Sequence, residues 1–116
     1  MTGVKFDGGK ILWHLVVWEF IEAGIRVLML GAKKYTKKDE EGNVIRSGED
    51  NWRLVENRRQ RYKNVLQRHT VAYLKGEKID VGTPEDPGTG ESHLACIFCN
   101  AMFLFWMDMV GDEGIV

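Results

Sequence analysis

Three stretches of the chain carry apolar residues at helical spacing, and they differ in how much of their circumference is apolar. Between residues 94 and 107 the only polar side chains are Cys96, Cys99 and Asn100, so apolar residues fall on nearly every side. Such a helix belongs in an interior. Ser92 stands where an N-cap would, and Glu91 places negative charge at the positive end of the helix dipole. At about 100° per residue, His93, Cys96 and Asn100 share one face and form a polar seam. A buried imidazole and carboxamide must find partners, either in neighbouring helices or in a ligand or metal.

Residues 11–30 predict a second long helix, with Gly24 as a weak point and Gly31 at the C′ position that would end it. Along it Glu22 and Arg26 are spaced to pair, and Glu19 and Glu22 are spaced to lean toward one Mg²⁺. Lys33, Lys34 and Tyr35 then fall just past the expected helix end, where two lysines can hold phosphates or complement the dipole. Asn51 and Trp52 open a third helix that runs to Leu74 and stops at Gly76. Its inward stripe is Tyr62, Leu66, His69 and Tyr73, and the partner nearest in kind for His69 is the His93 seam. Residues 1–10 read as a glycine-rich lead-in, 36–50 as an exposed loop or short hairpin, 76–90 as an acidic loop with two prolines, and 111–116 as a frayed tail. The pattern thus predicts an all-α fold, a small bundle of three long helices with loop insertions. Three helices leave too little cover for Trp13, Trp18, Phe20, Phe98, Phe103, Phe105 and Trp106, so completion by homo-oligomerisation is expected.

Composition narrows the classes. At 116 residues, 44% hydrophobic and 28% charged, the chain reads as one ordinary globular domain. The net charge is only −1, but residues 52–78 hold eight Lys/Arg against two acids, and residues 79–116 hold seven acids and no Lys or Arg. The basic segment can attract phosphates or form a solvated face. A nucleic-acid partner is not expected, because no recognised module accompanies it. A membrane span over residues 11–30 is rejected, since Glu19, Glu22 and Arg26 each cost about 2.5–3.5 kcal/mol near a bilayer centre. Two cysteines and the lack of a signal-like leader point to a reducing cytoplasm. Structural zinc on His93, Cys96 and Cys99 is set aside, because those positions spread over about 120° of a helix.

Taken in order, Lys5-x-Asp7-x-Gly9-Lys10, Glu22, Gly31-Ala32-x-Lys34-Tyr35, Asn51-Trp52, Arg68-His69, Gly76-Glu77-x-Ile79-Asp80 and Ser92-His93-Leu94 with Asn100 span nearly the whole chain. This succession resembles the small bacteriophage domain of the dATP/dGTP diphosphohydrolase N-terminal type. It departs at Cys96, where the family pattern has a second histidine, and in residues 36–50, which are longer here. The resemblance implies a helical protein in the cytoplasm of the infected cell, acting on purine deoxynucleoside triphosphates and releasing pyrophosphate with a divalent metal. It assigns the site to Glu22, Lys34, Asn51, His69, Asp80, His93 and Asn100.

Phosphoryl chemistry needs charge neutralisation and a group that orients or deprotonates water. On that basis Glu22 and Asp80 are expected to hold Mg²⁺ or Mn²⁺. Glu22, His69 and His93 are expected to be catalytic, and Lys10, Lys34, Tyr35, Asn51, Trp52, Arg68 and Asn100 to hold the substrate. The rival reading is a non-catalytic phage sponge that sequesters a host signalling nucleotide. It needs the same cations and aromatics but no metal-bound carboxylates.

Overall fold

The computed structural model describes residues 2–6 and 8–111. The expected frayed end beyond Gly111, and Asp7 of the lead-in motif, lie outside the described residues. The central element is a helix over His93–Val110, in chain order the third and so α3. Ser92 caps it as expected, its hydroxyl oxygen accepting the Leu94 amide at 3.1 Å. Helices α1 (Trp18–Tyr35) and α2 (Arg58–Leu74) both pack on α3, α2 the more extensively. By length and composition α3 would also pass for a membrane span. Here it carries the buried side chains of the described residues: Ala95, Cys96, Cys99 and Met107, with His93 and Asn100 as the buried polar pair.

The first helix departs from expectation at both ends. Residues 13–15 form a separate 3₁₀ turn, and Val16 and Val17 are extended, so α1 begins only at Trp18. At the other end Gly31 keeps a helical backbone, and the chain stays helical through Tyr35. The stop is instead made by Thr36, whose hydroxyl donates to the Ala32 carbonyl at 2.7 Å and accepts the Gly48 amide at 2.9 Å. Lys34 and Tyr35 therefore sit on the last helical turn, not beyond it. Gly24, expected as a weak point, is the close-approach point between α1 and α3. A Cβ there would stand 2.7 Å from the Phe98 ring. Around it Phe20 meets Phe98 edge-on at 5.1 Å, and the Cys99 thiol donates to the Gly24 carbonyl at 3.2 Å.

The second helix also starts later than expected. Asn51–Arg53 forms a 3₁₀ turn, Asn57 takes a left-handed backbone (φ 54°), and α2 begins at Arg58. The cause is Trp52, which stacks on Phe103 at 4.5 Å and meets Trp106 at 5.0 Å. Tyr62 locks this corner by donating to the Trp52 carbonyl at 2.9 Å while packing against Phe103. Of the expected inward stripe, Tyr62, Leu66 and His69 are half-buried, whereas Tyr73 is exposed.

The all-α expectation is corrected by a small antiparallel hairpin of β1 (Lys37–Lys38) and β2 (Val44–Arg46), with an irregular register. Its turn is organised by Asp39, whose carboxylate accepts the Glu41 and Asn43 amides. Glu22 attracts Arg26 as a nearby charge, as expected, but is not its direct partner. Arg26 makes a two-pronged ion pair with Glu91 at 2.8 and 2.9 Å, tying α1 to the start of α3.

Candidate functional site

The segment between α2 and α3 is fastened to the N-terminal end of α3 by backbone hydrogen bonds. The Asp80 amide donates to the Glu91 carbonyl, the Gly90 amide to the Asp80 carbonyl, and the His93 amide to the Lys78 carbonyl, at 2.8 to 2.9 Å. Isolated bridges pair Ile79 with Ser92 and Gly82 with Pro87. At Gly88 any side chain would collide with the Asp80 backbone, so the two strands of this segment press together only because Gly88 has none. The result carries Glu77 and Asp80 back over His93 and Cys96.

Two imidazoles meet there. The His69 and His93 Nδ1 atoms are 2.8 Å apart, and His93 Nε2 is 2.9 Å from a Glu77 carboxylate oxygen. His93 is 4% exposed, whereas the Glu77 side chain is half exposed. An ionised carboxylate accepts only, so with both rings neutral the pattern is fixed. His93 Nε2–H donates to Glu77, His93 Nδ1 accepts from His69 Nδ1–H, and His69 Nε2 keeps a free lone pair. Burial pulls the His69 pKa below its ordinary value; Asp80 opposes this, and His93 and Arg68 add to it. Neutral His69 is thereby favoured.

Beside this pair, one Asp80 carboxylate oxygen accepts both the amide and the hydroxyl of Thr89 at 3.0 Å. The Thr89 hydroxyl lies 3.5 Å from the Cys96 sulfur and itself accepts the Glu91 amide at 3.2 Å. One ligating atom each from His69, Asp80 and Cys96 all lie within 4.8 Å of one another. Burial raises the Cys96 thiol pKa, and Cys99, turned toward α1, is pushed up to about 12 by burial. On the outer side of α2 an open groove of about 740 Å³ is lined by Asn64, Gln67, Arg68, Val71, Lys75 and Glu77. Glu77 thus joins the groove to the imidazole pair.

Of the residues expected from sequence, the fold brings His69, His93 and Asp80 together and sets Arg68 in the adjoining groove. The remainder stand elsewhere. Glu22 is exposed on α1 and is not part of the cluster of His69, Asp80 and Cys96. Lys10 is exposed in the lead-in, and Lys34 lies over the Tyr35 ring at 5.4 Å on the exposed end of α1. Asn51 and Trp52 belong to the aromatic corner at Phe103. Asn100 donates to the Cys96 carbonyl one turn back, within α3 itself. Sequence reasoning passed over Glu77, Lys75 and Thr89 as site residues. The first was visible in the Gly76-Glu77 motif, whereas Thr89 had no local signal.

Residues 1–114 match the family described as dATP/dGTP diphosphohydrolase, N-terminal. A dATP/dGTP diphosphohydrolase from Salmonella phage PMBT28 is 30% identical over 107 residues, which cover 92% of this chain and 30% of the phage protein. The chain therefore spans less than a third of the length of that curated relative. No solved structure matches it. With its motifs in order and the match running over nearly its whole length, the chain belongs to the dATP/dGTP diphosphohydrolase N-terminal family.

Proposed function

We propose that this chain binds a purine deoxynucleoside triphosphate along the α2 groove and takes part in its hydrolysis to the monophosphate and pyrophosphate. The observation that carries this reading is the placement of Glu77 between the cations Arg68 and Lys75 on one side and the pair of buried His93 and half-buried His69 on the other. A groove of about 740 Å³ falls within the usual range for small-ligand sites, roughly 300–1,000 Å³. Arg68 and Lys75 neutralise phosphate charge, and Val71 supplies an apolar surface. His93 fixes one Glu77 oxygen, leaving the other to accept a proton from the attacking water. Water oxygen then bonds to the α-phosphorus as the bridging oxygen leaves with pyrophosphate. The activity named for the phage relative comes to this chain only within this proposal.

Of the expected Mg²⁺ or Mn²⁺ ligands, Asp80 lies in a cluster whose groups offer nitrogen, oxygen and sulfur, and Glu22 is not part of that cluster. Mg²⁺ favours an octahedron of oxygens and is commonly held through substrate phosphates. Here it enters as part of the metal-bound nucleotide. That cluster holds a single carboxylate, Asp80, which favours a second reading, in which a nucleotide is bound without turnover.

The two are separated by incubating the protein with each deoxynucleoside triphosphate and Mg²⁺ or Mn²⁺ while following pyrophosphate, then measuring binding of cyclic dinucleotides. Pyrophosphate from dATP or dGTP supports hydrolysis. Tight binding without turnover supports sequestration. Arg68→Ala weakens binding in either case.

A further inference from the structure

We infer that His69, Asp80 and Cys96 form a binding site for one Zn²⁺ ion, with an open fourth position. The three residues come from three separate pieces of chain: α2, the α2–α3 segment and the first turn of α3. Their ligating atoms already lie within 4.8 Å of one another. Tetrahedral zinc, with bonds of about 2.0–2.3 Å, separates its ligand atoms by roughly 3.3–3.8 Å, so a contraction of about 1 Å closes the site. Imidazole nitrogen, thiolate sulfur and one carboxylate oxygen are a donor set for a borderline ion such as Zn²⁺, not for Mg²⁺. Three protein ligands leave a position for water or a phosphate oxygen, which is the arrangement of a reactive zinc rather than a closed structural one.

The surroundings hold the ligands in orientation. Metal-bound histidines ordinarily donate the other ring N–H to a neighbour. With Nε2 of His69 as the ligand, its Nδ1–H donates to His93, which in turn donates to Glu77. Thr89 fixes the Asp80 carboxylate with two hydrogen bonds. Cys99 takes no part, since its thiol is turned to the Gly24 carbonyl. Binding releases the Cys96 thiol proton to solvent.

The site is independent of the nucleotide, so it is tested without one. Protein stripped by a chelator is titrated with Co²⁺ while the absorption spectrum is recorded, and Zn²⁺ or excess Mg²⁺ is then added. One equivalent of Co²⁺ per chain should produce a thiolate-to-cobalt charge-transfer band that Zn²⁺ abolishes and Mg²⁺ does not. Cys96→Ser should lose the band and Cys99→Ser keep it. His93→Gln, which removes the imidazole that orients His69 and leaves the three ligands in place, should weaken binding about 10–100-fold. Absence of the band in the unsubstituted protein overturns the inference whatever the variants do. So does a band that survives Cys96→Ser, or displacement by Mg²⁺.

Discussion

Tyr62 shows how one side chain couples burial to pH. Its hydroxyl donates to the Trp52 carbonyl at 2.9 Å, and burial, the largest cause, pushes its pKa from 10.0 to about 12. The unfolded chain ionises this phenol near pH 10 and the folded chain only near pH 12, so the stabilisation is intact below pH 10 and is lost as pH rises toward 12. Urea unfolding at pH 8 and pH 11 should show this loss, and Tyr62→Phe should reduce the pH dependence while costing about 1 kcal/mol at pH 8. His93 is a buried group with two partners. His93→Ala frees Glu77 and leaves His69 Nδ1–H without its acceptor, and a stability loss of about 1–3 kcal/mol is expected alongside loss of turnover. Thermal unfolding read beside pyrophosphate release separates the two effects, because Glu77→Gln should lower turnover with little change in unfolding.

Among the elements, α3 was the most legible in the sequence. Its cap at Ser92 and its seam of His93, Cys96 and Asn100 follow directly from residue order and helical period, and the structure buries all three seam residues. The pairing of His69 with His93 was legible for the same reason, since each lies on the inward stripe of its helix. Boundaries of α1 and α2 were not, because tertiary contacts set them: Thr36 against Gly48 carries α1 past Gly31, and Trp52 against Phe103 delays α2. Nor was the Asp80 environment, because Thr89 and Cys96 reach it only through the path of the α2–α3 segment. The α1–α3 contact yields a prediction of its own. Gly24→Ala places a methyl group against Phe98 and should cost about 1–3 kcal/mol, and Phe98→Leu in the same chain should recover part of it. A double-mutant cycle by chemical denaturation reads the coupling.

At the scale of the whole molecule, the apolar surface exceeds what three helices cover. Trp13 is 65% exposed, Trp18 51% and Phe105 64%, whereas Phe98, Phe103 and Trp106 are partly covered. We propose that a second copy of the chain covers this surface. Light scattering at low micromolar concentration should then give a mass above the 13.3 kDa of a single chain, and a monomer would contradict it. The central claim concerns the nucleotide groove and its link to the imidazole pair. Its most direct test is pyrophosphate release from dATP and dGTP with Mg²⁺ present, comparing the unsubstituted protein with Glu77→Gln. Glu77→Gln should reduce turnover by about 10²- to 10⁴-fold, as befits loss of a general base, while nucleotide binding is retained. Turnover unchanged by that substitution would contradict it.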